Sequence, residues 1–222
     1  MNDIPIDVFI DLPPSPEPVE AGRLWSHFRK GRESASFEYN REWLANPYRF
    51  ALEPLLPLAD GTFHTTPGQS VFGAIGDSTP DRWGRILMRR AELARARAAN
   101  ESRRTLSELE YLLRVNDEAR QGALRFSQDG GQSFCAPPGA TPIPPLVNLS
   151  RLLHAADHFC RDDENAEDLR LLLAPGSSLG GARPKASVKD KKGNLCIAKF
   201  PRHDDEYNVV AWEAVALTLA SK

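Results

Sequence analysis

Residues 174–200 read APGSSLGGARPKASVKDKKGNLCIAKF, and their order decides how the second half of the chain folds. A small-residue loop from Gly176 to Ala182 leads into a short strand, Lys185–Lys189. A charged turn, Lys191-Lys192-Gly193-Asn194, comes next, and a second strand, Leu195–Phe200, returns with one lysine, Lys199, among apolar neighbours. Dipeptides of this kind between two apolar runs signal a hairpin. Glycines let backbone N–H groups approach an anion closely, and a strand-borne lysine adds a point charge. The stretch therefore predicts a phosphate cradle. Glycine-rich turns are common between elements, so the loop Ser177-Ser178-Leu179-Gly180-Gly181-Ala182 alone is weak support.

The elements after the loop add weight. A last helix is expected from about Glu206 to Ala220, with Val210, Ala214 and Leu217 on one face and Glu213 beside Trp212. Loop, strand, hairpin, lysine strand and a helix glutamate is the order of parts in the upper half of a protein-kinase lobe. Ile197-Ala198-Lys199-Phe200 is similar to the V-A-I-K strand of that lobe, and the whole is closer to it than to a Walker loop. Glu213 is the candidate to hold Lys199, and Lys185 adds a second positive charge where loop meets strand. The plainer readings are a lysine on a solvated edge and a surface glutamate.

Upstream, Ile4 to Ile10 alternates polar and apolar residues as a half-buried strand does, and Pro13, Pro14, Pro16 and Pro18 break it. Arg23–Phe28 and Ser34–Tyr39 are further strands around a Lys30-Gly31-Arg32 turn. Residues 53–67 read as loop with short extended pieces. A helix is expected from Thr79, with Thr79 as cap, Pro80 at the first position and Asp81 complementing the dipole. A second begins at the capping box Thr105-Leu106-Ser107-Glu108. Gly122–Phe126 reads as a strand. Residues 128–145, QDGGQSFCAPPGATPIPP, form the best linker, and helices are expected at Leu149–Cys160 and Glu164–Leu173. The fold class is α+β: an N-terminal sheet-and-helix subdomain over 1–135, then an incomplete kinase-like small lobe over 136–222.

A chain of 222 residues with 41% hydrophobic residues supports a real core, and wholesale disorder is excluded. A net charge of −2 gives no global pull toward nucleic acid or membrane. Cys135, Cys160 and Cys196 are too widely spaced for a CxxC pair, and a reducing cytoplasm is the expected setting. No apolar run approaches the roughly 20 residues of a membrane span. His154 and His158 stand at i,i+4, but HAADH lacks the HExxH glutamate and no third ligand is evident. The arginines 82, 85, 89, 90, 95, 97, 103 and 104 read first as a solvated helix face, and second as a docking face for an acidic partner.

Three segments resemble the HipA family, the serine/threonine-kinase toxins of bacterial toxin–antitoxin pairs. Thr79-Pro-Asp-Arg-Trp-Gly-Arg85 is similar to its PDGWGR element. Glu110-Tyr-Leu-Leu-Arg-Val115 with Gly122-Ala-Leu-Arg-Phe126 is similar to the helix and GALRF strand that close its N-terminal subdomain. Ser178-Leu-Gly-Gly-Ala-Arg-Pro-Lys-Ala-Ser-Val188 with Ile197-Ala-Lys-Phe200 is similar to its phosphate loop and ATP-binding lysine. The resemblance implies nucleotide contacts from Gly180, Gly181, Ala182, Arg183, Pro184, Lys185 and Lys199, with Glu213 positioning the lysine. It implies ATP with Mg2+ as cofactors. Ser178 would match the loop serine whose autophosphorylation ejects the loop, since a phosphate's charge opposes ATP there. The implied partners are a helix-turn-helix antitoxin, through which alone DNA would be reached, and a protein substrate in the translation machinery.

The departure is a missing helical lobe. A kinase needs an aspartate base, and Asp and Asn side chains for magnesium; no such motif follows Phe200, and Asp204 and Asp205 come too early. The chain alone is therefore expected to catalyse no phosphoryl transfer. The alternative is a non-catalytic binding module that docks on and restrains a companion kinase chain, although such a module has no need of the loop, Lys199 and Glu213.

Overall fold

The computed structural model describes residues 5–135, 142–176 and 180–221. In chain order its elements are β1 (Ile6–Ile10), β2 (Val19–Arg29), β3 (Arg32–Tyr39), α1 (Arg41–Ala45), β4 (Thr62–His64), α2 (Gly73–Gly76), α3 (Arg82–Ala98) and α4 (Glu108–Leu113). After these come β5 (Leu124–Ser127), α5 (Leu149–Cys160), α6 (Ala166–Gly176), β6 (Lys185–Lys189), β7 (Leu195–Lys199) and α7 (Val209–Ala220). The chain is α+β, and its sheets are antiparallel.

The chain divides into two compact units, Met1–Pro80 with Thr105–Pro138, and Asp81–Arg104 with Gly139–Lys222. Helix α3 thus belongs to the second unit, which a single cut between 135 and 136 does not anticipate. Its apolar stripe decides this: Trp83 and Leu87, four residues apart, are both buried among second-unit side chains.

The first unit is a five-stranded sheet in the order β4-β3-β2-β1-β5. β1 is buried at every position and is paired on both edges, by β2 and by β5. β2 and β3 join through Lys30 and Gly31, with φ of 50° and 77° and with Arg29 opposite Arg32. Positive φ at both central residues suits the right-handed strand twist of a two-residue hairpin. Ile6, Val8, Leu24 and Phe37 from the strands pack with Trp43 of α1, Ile75 of α2 and Leu112 of α4. The buried guanidinium of Arg120 binds this unit together: it donates to the carbonyls of Ser78, Leu112 and Val115 at 3.0, 3.0 and 3.2 Å and lies over the Phe126 ring. Burial pushes its pKa down to about 10.

Two expected helix starts move. Asp81, not Thr79, is the N-cap of α3, because the Thr79 hydroxyl donates to the Gly76 carbonyl at 2.6 Å and closes the preceding turn instead. The capping box of α4 is Ser107 with Glu110, not Thr105 with Glu108. The backbone N–H groups of Glu108 and Leu109 donate to the carboxylate of Glu33 on β3, at 2.7 and 3.1 Å, and this tertiary bond sets where the helix begins. The strand expected over 4–10 is seen from Ile6, and Ile4 lies outside the described residues.

In the second unit α3, α5 and α6 surround a core of Trp83, Leu87, Leu152, Phe159, Leu172 and the β6 residues Ala186 and Val188. Trp83 and Phe159 meet edge to face, with ring centroids 5.1 Å apart. The arginine series is not a plain solvated face. Arg90 lies over the Phe159 ring and binds Glu164 and Asp162. Arg95 and Arg104 both reach the buried carboxylate of Glu92, each at 2.9 Å. Helix α7 buries no residue, and Val210, Trp212, Leu217 and Leu219 stand exposed along it.

Candidate functional site

The hairpin register places Lys185 directly opposite Lys199. Opposed residues of an antiparallel pair share one face, so two ammonium groups point the same way, an arrangement that ordinarily destabilises a sheet. The exposures differ: Lys185 is 7% accessible, whereas the Lys199 side chain is about half exposed, at 47%. Each is held by its own oxygen. Lys199 Nζ forms an ion pair with the Glu213 carboxylate on α7. Lys185 Nζ donates to the carbonyl of Gly180. Burial pushes the pKa of Lys185 down, the charge of Lys199 pushes the same way, and Asp81 and Glu213 oppose the shift.

The loop is fastened at both ends of the described part. Gly181, at φ +83°, donates its N–H to Asp81 Oδ2 at 2.7 Å, and its carbonyl accepts the N–H of Trp83 at 3.0 Å. The Trp83 indole N–H donates to the Lys185 carbonyl at 2.9 Å. Gly176 is pressed against the same tryptophan: a Cβ there would lie 2.7 Å from Leu87 and 3.0 Å from the indole nitrogen. The N–H of Phe200 donates to the Pro184 carbonyl at 2.9 Å. Arg183 is paired with Asp205, which pulls that carboxylic acid down to about 2.

Of the residues singled out in the sequence, Gly180, Gly181, Lys185, Lys199 and Glu213 thus gather on one end of the hairpin, with Ala182 and Pro184 in the connecting backbone. Arg183 turns to Asp205. Ser178 lies outside the described residues. His158 Nδ1 lies 3.0 Å from Asp168 of α6, a pairing between two helices; among the described residues, no group of three His, Cys, Asp or Glu side chains stands ready for a metal ion. Asp81 and Trp83 are loop contacts that sequence reasoning misses. Their signal is present: an N-cap aspartate and a tryptophan at the head of a helix, in a run that stands out only for its family likeness.

Chemically, the end of the hairpin offers two ammonium groups and a glycine N–H within one small region, the donor set that an anion of several charges requires. Class membership rests on the stretch from β2 to β5, which includes α3 of the second unit. A profile of the HipA N-terminal domain matches residues 17–127, half of the chain. The chain belongs to the HipA family, of which it carries the N-terminal portion. Comparison with curated proteins gives no match. No described helix is long and apolar enough to cross a membrane.

Proposed function

We propose that the second unit is the nucleotide-holding part of a HipA-like serine/threonine kinase, with Lys185 and Lys199 on the phosphates of ATP. The observation that carries this reading is the ion pair between the strand lysine and the helix glutamate, Lys199 with Glu213. A kinase small lobe needs that pair to aim its lysine at the phosphates. The opposed Lys185 supports it further, because a buried ammonium that donates to a carbonyl and faces a second ammonium is costly until an anion reaches it. The donor set fits the triphosphate. The described side chains do not by themselves form a Mg2+ site.

In this reading phosphoryl transfer to a protein serine or threonine belongs to the kinase of which this lobe is part. The proposed partners are a helix-turn-helix antitoxin and a protein of the translation machinery, with the cytoplasm as the compartment. The binding-module reading leaves the Lys199–Glu213 pair without a task.

The test is calorimetric titration of the full chain with MgATP. Binding is expected in the wild type, and Lys199→Ala is expected to weaken it roughly tenfold or more, the scale of one charge-assisted contact. Glu213→Gln should weaken it less, since the lysine keeps its charge and loses only its aim. A wild type that releases no heat with ATP would sink the proposal.

A further inference from the structure

Asp81 sits at the N-cap of the 17-residue helix α3, where an aspartate ordinarily accepts an N–H from the first turn of its own helix. Its side chain makes no such bond. It reaches instead to the glycine loop, where Oδ2 accepts the Gly181 N–H at 2.7 Å and lies 3.3 Å from the position a Cβ on Gly180 would take. The carboxylate therefore lies where a side chain on Gly180 would crowd it, and it holds the N–H of the next residue, Gly181. The Lys185 ammonium stands close by, 2.9 Å from the position of a Cβ on Gly181. A negatively charged oxygen on a loop N–H, beside a buried ammonium, is the environment that a phosphate oxygen would occupy.

We propose that Asp81 is a built-in stand-in for phosphate, which holds the backbone at Gly180 and Gly181 and competes with nucleotide for the Gly181 N–H. The inference rests on the nucleotide-binding reading of the second unit. One N–H cannot serve two anions, and a carboxylate left beside a triphosphate repels it, so nucleotide entry requires Asp81 to let go. Release leaves the carboxylate at the N-terminus of α3, where it complements the positive end of the helix dipole. Asp81 is thus a positioning residue with two alternative partners, and it sets nucleotide affinity rather than touching the reacting atoms. Trp83 keeps the loop backbone attached in both states, through its N–H to the Gly181 carbonyl and its indole to Lys185.

Two measurements on the full chain test this. The first is amide hydrogen exchange without nucleotide: Asp81→Ala should speed exchange at Gly181, while the amides in the middle of α3 keep their protection. The second is calorimetry with MgATP, in which Asp81→Asn and Asp81→Ala are both expected to bind more tightly than wild type, by roughly three- to tenfold for one competing charged hydrogen bond. The asparagine variant keeps the size and the capping ability of the side chain, so a failure of the alanine variant to fold would not remove the comparison. If wild type binds ATP, Lys199→Ala does not, and both Asp81 variants bind as wild type or more weakly, the stand-in is overturned while the nucleotide site survives. If wild type and all variants fail to bind ATP, the nucleotide reading falls and the stand-in with it.

Discussion

Lys185 and Lys199 face each other across a hairpin, and nothing in the packing of two strands asks for that. A sequence optimised only to fold would place an apolar residue at 185, which is buried next to Ala186 and Val188. The residue therefore carries a burden that the fold does not require, and its removal should show it. Lys185→Met fills the same volume without the charge. Its thermal midpoint is expected to stay level or rise by a few degrees, while affinity for MgATP falls; replacing a buried charge by an apolar side chain is often neutral or stabilising. A midpoint several degrees lower would show that the lysine is structural. The pH dependence has a definite sign. The pKa of Lys185 is lowered from 10.5 in the folded chain, so between the folded and unfolded values the unfolded chain binds more protons, and stability from this residue grows as pH rises toward 10.5. Urea midpoints at about pH 7 and about pH 10 should therefore converge between wild type and Lys185→Met, with wild type gaining relative to the variant. Divergence in the opposite direction would contradict the assigned cause.

Among the elements, the start of α4 separates local sequence from tertiary structure. Thr105-x-x-Glu108 and Ser107-x-x-Glu110 match the same capping pattern, and only the second is used. Ser107→Ala is expected to cost about 1 kcal/mol of stability, within the usual range for a lost N-cap, whereas Thr105→Ala should change little; chemical denaturation of both variants checks this, and equal effects would count against the assignment. Glu33 is the deciding partner, and it sits on a strand 75 residues earlier in the chain, which no local pattern can reveal. The start of α3 differs for the same reason. Thr79 has a local carbonyl to serve, and the Asp81 carboxylate has the glycine loop. By contrast α5 runs over Leu149–Cys160 as its periodicity predicts, and the two hairpins are legible because their turns carry their own chemistry: positive φ at Lys30 and Gly31, and Asp190 accepting the N–H groups of Lys192 and Asn194. The candidate site is legible for a similar reason. Loop, strand lysine and helix glutamate are close in sequence, so their meeting needs only one hairpin and one turn. Asp81 joins them across 100 residues, and its part is not legible.

At the scale of the molecule, the chain visits the second unit, returns to the first and then visits the second again. The linker at 128–145 marks only the last of these crossings. A piece cut there would begin near residue 139 and lack α3, hence lack Trp83 and Leu87, which are 2% and 0% accessible in the second core. Deleting one buried Trp or Leu side chain costs roughly 2–5 kcal/mol. Losing both removes an amount comparable to the whole stability of a small domain, about 5–15 kcal/mol. Residues 139–222 alone are therefore expected not to fold, with no cooperative thermal transition by circular dichroism. Supplying residues 80–104 as a separate peptide should restore helix content and a transition, because it returns the Trp83 and Leu87 stripe and the Trp83 bonds to Gly181 and Lys185. The same peptide with Trp83→Ala should fail to do so. A fragment that folds cooperatively without the peptide would mean that α3 is an accessory to this unit, and the unit's boundary would then lie at the linker after all.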